Sequence, residues 1–208
     1  ICTTEDKYIV TYLNNKGKNG NLVSYNKDGS FDKITNADGI GHGNGMTYNP
    51  YTKLLYVTRM QLLEKTKKLR VYAGESRKFQ RTVEAPEATS SVAFDVTNNK
   101  YYFAFNDMMY VSDSNFKLEK TLKKKVRWYH TQDIGGYNGL ILIGTWLGKY
   151  NSYLDIYRIS DGAYLGSYYI PVGEIESCTV DDGYLVLLIN KKGPLDRIYR
   201  TKERIAIP

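Results

Sequence analysis

This sequence offers little of the usual raw material for special chemistry. It holds two cysteines and two histidines among 208 residues. No short-spaced Cys/His set occurs, which excludes a zinc finger or ribbon. No G-x-S-x-G turn, phosphate loop or catalytic Cys–His signature appears either. The longest apolar run, YLVLLI at 184–189, falls far short of the ~20 residues that a membrane-spanning helix needs. Helical apolar periodicity is missing, which argues against a helical bundle. One stretch, QLLEKTKKL at 61–69, has helix formers but no clear cap. It reads as an extension of a hairpin. No Pro-rich or Gly/Ser-rich linker divides the chain, so one domain is expected over 1–208. The chain opens at Ile1 without an initiator Met, which reads as a processed chain or an excised domain.

What the sequence does have is a repeat. GMTYNPYTKLLYVT (45–58), SVAFDVTNNKYYFAF (91–105), DIGGYNGLILIGT (133–145) and SCTVDDGYLVLLI (177–189) share one pattern, and ICTTEDKYIVTYL (1–13) is a fifth copy. Each is a short run of small or apolar residues, a turn, then a stronger run of Tyr, Leu, Val or Ile. A third run follows: NLVSY, KLRVY, MMYVS, YLDIY and DRIYR, each with a tyrosine at Tyr25, Tyr72, Tyr110, Tyr157 or Tyr199. Turn residues such as KDGS and SDGA then lead to a fourth run: FDKIT, FQRTV, LEKTL, YLGSYYI and, at the end, RIAIP. Asp-Gly between alternating runs is a hairpin signal, because both residues tolerate the backbone angles of tight turns.

A repeat of about forty residues made only of short strands is the signature of propeller blades. The expected fold is therefore all-β: a five-bladed β-propeller of four-stranded antiparallel blades, with the first strand of each nearest the axis. The blades fall near 1–41, 42–88, 89–129, 130–173 and 174–208. The 20 tyrosines suit strands, where flat rings pack on a pleated surface. A β-sandwich is the alternative, and it would make the repeat an accident.

The formal charge is +7, clustered in KTKK (65–68), KLEKTLKKKVR (117–127) and NKK (190–192). Such a balance suits an acidic partner, a teichoic-type polymer, acidic glycan or membrane surface among them. Lysines on strand edges also keep sheets from aggregating. No recognition helix or RNP-like motif supports nucleic acid, and no membrane insertion is expected.

Aligning ICTTEDKYIVTY with SCTVDDGYLVLL puts Cys2 and Cys178 at one place in the first and last blades. Ring closure makes those blades neighbours. A disulfide there would exclude many unfolded states, worth about 4–5 kcal/mol by loop entropy, and would imply an oxidising, extracellular compartment. Two buried free thiols are the alternative.

The two histidines also fall at matching places. His42 precedes Met46 by four residues, and His130 precedes Ile134 by four. Both occupy loops that enter a first strand. In a propeller these loops join those between the second and third strands around one axial mouth. That mouth would gather His42, Asn44, Arg59, Asn106, His130, Gln132, Trp146 and Glu176, with Thr89 to Ser91, Tyr12, Asn14, Asn15, Asp107, Glu174, Asn190 and Lys191 near them. Amides, imidazoles and an indole plate suit a polar, hydroxyl-rich ligand. A metal bound by His42, His130 and Glu176 has only three ligands and no supporting motif, so no metal or cofactor is expected. Glycoside hydrolysis needs two carboxylates about 5.5 Å apart, or roughly 6.5–9.5 Å for inversion. Only Glu174 with Glu176, from one loop, and Asp133 offer themselves.

In architecture the repeat resembles the five-bladed propellers, such as tachylectin-type lectins and five-bladed glycosidases. It lacks the Trp-rich blades of the former and the Trp-Asp ends of WD40 repeats. GHGNGMTYNPYTKLLYV resembles repeats of bacterial extracellular proteins in which a propeller accompanies a wall-active or adhesive domain. Fold analogy alone gives no function. The expectation is a secreted or surface-attached module that binds a glycan or cell-wall polymer at the axial mouth. A hydrolase on such a polymer and a protein–protein scaffold are the alternatives, and the carboxylate supply favours binding over catalysis.

Overall fold

Short alternating runs with tight turns can satisfy their backbone groups only by pairing with one another. The computed structural model shows them doing so. It describes residues 1–13, 20–37, 39–41, 43–59, 66–125, 130–148, 151–191 and 196–206, and at His130 the backbone alone.

The first sheet holds β1 (Cys2–Thr3), β2 (Lys7–Leu13), β3 (Gly20–Asn26) and β4 (Phe31–Ala37). The second holds β5 (Met46–Asn49), β6 (Leu54–Thr58), β7 (Lys68–Ala73) and β8 (Phe79–Glu84). The third holds β9 (Ser91–Asp95), β10 (Lys100–Phe105), β11 (Met108–Ser112) and β12 (Leu118–Lys123). The fourth holds β13 (His130–Tyr137), β14 (Leu140–Trp146), β15 (Ser152–Arg158) and β16 (Tyr164–Ile170). The fifth holds β17 (Glu174–Asp181), β18 (Tyr184–Asn190) and β19 (Arg197–Arg204). Each sheet is a meander in sequence order, and its neighbouring strands pair antiparallel.

The chain is thus a five-bladed β-propeller, and five separate sheets rule out the sandwich. One strand differs from the sequence expectation. RIAIP was expected as the fourth strand of blade five, but Ile205 and Ala206 lie outside any strand. Among the described residues that blade has three strands. The QLLEK part of the 61–69 segment lies outside the described residues. Lys68 already belongs to β7.

The core is divided into five apolar clusters, one between each pair of neighbouring blades. Leu22, Met46 and Leu55 join blades one and two. Tyr56, Val92 and Phe103 join two and three. Tyr102, Val111 and Ile143 join three and four. Leu142, Leu154 and Leu187 join four and five. Ile1, Tyr8, Val10, Val186 and Leu188 close the ring between five and one. The recurring third-strand tyrosines seal the outer ends. Tyr25 meets Phe31, Tyr72 meets Phe79 and Tyr157 meets Tyr164, with ring centroids 6.3, 5.8 and 5.4 Å apart. Near the axis the blades touch backbone to backbone. A side chain at Gly45 would place its Cβ 2.5 Å from Ser91 Cα.

The two cysteines do not form a disulfide. Successive strand residues face opposite sides of their sheet. Cys2 pairs across the ladder with Ile9 and packs with Met46 and Leu55 towards blade two. Cys178 pairs with Leu187 and faces blade four, its thiol 3.6 Å from the Leu142 carbonyl. Each points away from the other's blade. The shared sequence pattern hid this because it aligns the two hairpins one residue out of step. The pairs Cys2–Ile9 and Thr3–Tyr8 correspond to Thr179–Val186 and Val180–Leu185, so Cys2 matches Thr179 and not Cys178. A slip of one residue moves a side chain to the other face of its sheet. Burial pushes the Cys2 thiol up to about 12 and raises Cys178 as well.

Candidate functional site

Strand register assigns the sequence-selected residues to one end of the ring. His130, at the start of β13, pairs with Trp146, at the end of β14. Glu174 pairs with Asn190. The Thr58 amide bonds the Gly45 carbonyl at 2.8 Å, which brings Asn44 and Arg59 to the same end. His42, Asn14 and Asn15 lie outside the described residues, as does the His130 side chain.

Direct contacts join two pairs at this end. Gln132 Nε2 donates to Glu174 Oε1 at 2.5 Å, and Asn190 Nδ2 donates to Glu176 Oε1 at 3.2 Å. Burial, followed by repulsion from Glu176 and Asp196, raises the Glu174 carboxyl above its ordinary range. Burial likewise raises Asp196. It also takes the Tyr12 phenol to about 12, with help from Asp196 and Tyr25.

Two selected residues have evident structural work. Asn106 adopts φ 51° in the two-residue turn between β10 and β11, a conformation that asparagine tolerates well. Trp146 is half-buried as the last residue of β14 rather than standing on a loop.

Two buried ionisable groups lie nearby. Asp133 sits where the β13–β14 ladder shifts register, with no solvent exposure. It accepts from the Ser177 hydroxyl, which in turn receives a 2.5 Å bond from the Ile1 nitrogen. Burial raises this carboxyl to about 7, against the opposing pull of the Ile1 nitrogen's charge and the Ser177 hydroxyl. Lys124 Nζ donates to Thr131 Oγ1 at 2.6 Å. Its burial lowers the ammonium to about 8, against support from Asp107 and Asp155.

The opposite axial end holds a cavity of about 500 Å³, to which all five turns between first and second strands contribute. Its walls are small where the inner strands converge: Thr47, Ala93, Gly135, Gly136 and Thr179. Tyr48 and Tyr137 add rings, and the rim carries Glu5, Asp181 and Asp182 against Arg204. Asp95, also in the wall, is spent on structure. It accepts from the Asn138 and Gly139 amides of blade four at 3.2 and 2.6 Å and from Tyr102 Oη at 2.7 Å. Sequence reasoning passed over this end because its turns are short and rich in Asp-Gly and Asn-Pro, which offers a ligand little surface. The usable signal was the smallness of the first run in each repeat, since small side chains around a shared axis leave space. Among the described residues no group of three His, Cys, Asp or Glu is placed to hold a metal ion.

No family model matches the sequence, and no curated protein matches it. Solved structures match at the level of fold. A chain of a nidogen/laminin complex aligns with a TM-score of 0.62 and 9% identity, over 88% of this chain and 70% of that one. Hydrazine synthase of Kuenenia stuttgartiensis aligns with a TM-score of 0.49 and 10% identity, over 91% of this chain. This chain spans 64% of the length of that hydrazine synthase chain. The first of these likenesses bears on the fold alone, which the five blades already define as a β-propeller.

Proposed function

We propose that the protein is a binding module that takes a polar, hydroxyl-rich ligand, such as a segment of glycan or cell-wall polymer, at an axial mouth of the propeller. The observation that carries this reading is the axial cavity of about 500 Å³ to which every blade contributes. Its volume suits a small polar ligand, and its walls mix hydroxyls with aromatic rings, as sites for such ligands do. Asp181 and Asp182 at its rim are paired with Lys27, Arg200 and Arg204, a balance that fits a neutral ligand better than an anionic polymer despite the basic charge of the whole chain. The ligand class alone suggests an extracellular or surface location, because the cysteine pair gives that location no support. Hydrolysis is less favoured. Asp133 is sealed from solvent, and Glu174 is engaged by Gln132.

The test is a calorimetric titration with a panel of neutral and acidic oligosaccharides, using two variants. Thr179→Trp fills the cavity, and Trp146→Ala removes the indole at the other end. Binding of a neutral sugar that Thr179→Trp abolishes and Trp146→Ala spares supports the reading. The reverse pattern moves the site to the His130 and Trp146 end. No binding to any member of the panel refutes the reading.

A further inference from the structure

The turn between the third and fourth strands has one position that repeats from blade to blade. It is the residue just before the one whose carbonyl closes the turn, as in the bonds from the amides of Asn26, Ala73, Asp113 and Arg158 to the carbonyls of Ser30, Lys78, Lys117 and Ala163. That position holds Gly29, Arg77, Phe116 and Gly162, with φ of 87°, 62°, 65° and 75°. Glycine takes such angles freely, and other residues are strained there. Phe116 reaches into the seam of blades two and three and stacks on Tyr101, with ring centroids 4.6 Å apart. Arg77 holds the corresponding place at the seam of blades one and two, where it is only 3% exposed.

A buried guanidinium in place of a buried ring is costly unless its charge and its donors are met. Within the chain they are met on one side only. Arg77 Nη1 donates to the Gly74 and Glu75 carbonyls of its own turn. Its Nε is buried and has no acceptor. Among the described residues no carboxylate lies within ion-pair distance of Arg77. Arg77 lines a cavity of about 470 Å³ between blades one and two, together with Thr4, Tyr48 and Gly74. Four carboxylates also line it, Glu5, Asp6, Asp32 and Glu75, and all four belong to exposed residues. Lys7 lies 3.9 Å from Asp6 and 3.6 Å from Asp32. Lys33 donates to the Glu75 carbonyl at 3.3 Å, and Lys53 is exposed. The cavity thus has a buried cation at its floor and a negative rim. Such a site repels a multiply charged anion and accepts a small one of single charge.

We propose that this cavity binds a small organic acid, whose carboxylate takes two parallel hydrogen bonds from Nε and Nη2 of Arg77. The planar fork of a guanidinium matches a carboxylate in this way. Thr4 and Tyr48 line the space left for the rest of the molecule. Thr4, Glu5 and Tyr48 also line the axial cavity, but Arg77 does not, so the two sites have separate anchors.

The test follows the Arg77 Nε–H signal by nuclear magnetic resonance in the isotope-labelled full chain, assigned through its own backbone. The probe is sodium acetate at constant ionic strength and pH 7. We expect the signal to move and saturate while the other arginine signals stay in place. Inorganic phosphate at equal concentration should move it less. Arg77→Lys keeps the charge without the fork, and should weaken acetate about tenfold, read from the Gly74 and Glu75 amides. Thr179→Trp, which fills the axial cavity, should leave acetate binding unchanged. An Arg77 signal with no saturable response to acetate overturns the proposal. So does a response that appears only in Glu5→Gln, because the rim carboxylate would then already neutralise the guanidinium. A larger response to phosphate overturns the assignment to a carboxylate, and loss of acetate binding in Thr179→Trp overturns the separate site.

Discussion

The Asp181 carboxylate of the last blade lies 2.7 Å from the Lys27 ammonium of the first. The same carboxylate accepts from Thr3 Oγ1 at 3.1 Å and from Tyr8 Oη at 3.2 Å. Lys27 also sits 4.5 Å above the Tyr8 ring. The ring therefore closes on hydrogen bonds and charge, together with the Val186 and Leu188 cluster, where the sequence suggested a covalent bond. Removing the hub should be costly. Asp181→Ala should lower stability by about 1–3 kcal/mol, read as a reduced urea midpoint. An unchanged midpoint would show that the apolar seam closes the ring alone.

The cysteines should be invisible to redox agents. Because both thiols are buried with raised pKa values, they should not react with a thiol reagent in the native protein and should both react once it is unfolded. Adding a reductant should leave the melting temperature where it was. A reductant-dependent fall would contradict the opposed facing of the two side chains.

Backbone contact near the axis predicts a large penalty for a small change. Gly45→Ala would drive a methyl to 2.5 Å from Ser91 Cα and 2.7 Å from the Val92 nitrogen. Neither atom can rotate aside, so blades two and three must separate. The expected loss is about 1–3 kcal/mol, measurable by denaturant unfolding. Gly29→Ala is the control, since nothing lies within 4 Å of its Cβ position. That change should cost less, its price being set by the positive φ of 87° alone.

Two buried groups give stability a dip with pH. Asp133 has its carboxyl raised from 3.8 to about 7 in the folded protein, so the folded state holds the proton more tightly. Its contribution is complete below about pH 4 and is lost as pH rises through 7. Lys124 is lowered from 10.5 to about 8, so the unfolded state holds the proton more tightly and stability recovers between those values. Melting temperature against pH should fall from 4 to 7 and recover between 8 and 9, before the raised Cys2 and Cys178 thiols pull it down again. Asp133→Asn should flatten the first limb and Lys124→Met the second. A wild-type curve that rises between 4 and 7 would reverse the assignment of Asp133.

The strand order was legible because alternation and turn chemistry are local. The third-strand tyrosines at 25, 72, 110, 157 and 199 recur at one step of the repeat, and each lies in the third strand of its blade. Facing was not legible. Cys2 and Cys178 look equivalent in sequence, yet the ladder matches Cys2 to Thr179, and that one-residue slip puts the two cysteines on opposite faces of their sheets. The end of blade five was also misread, since RIAIP resembles a fourth strand but its Arg204 closes β19 and its Ile205 and Ala206 lie outside any strand. Strand register puts Gln132, Trp146, Glu176 and Asn190 at one end of their blades. The cavity at the other end arises from five small-residue strands meeting at an axis, a convergence that no single repeat reveals.

The division of the core into five seams bears on how the ring can assemble. Four seams join blades that are consecutive in the chain, as when Ile9 meets Leu55. The fifth brings Tyr8 to Val186, a span roughly four times longer. Loop-closure cost grows only with the logarithm of length, so this adds about 1.2 kcal/mol over an ordinary seam. A penalty that small lies within reach of the bonds converging on Asp181. Blades can therefore accrete around the axis from local contacts, with the long-range seam as the last and slowest event. Substitutions at that seam should then act mainly on how fast the finished ring opens.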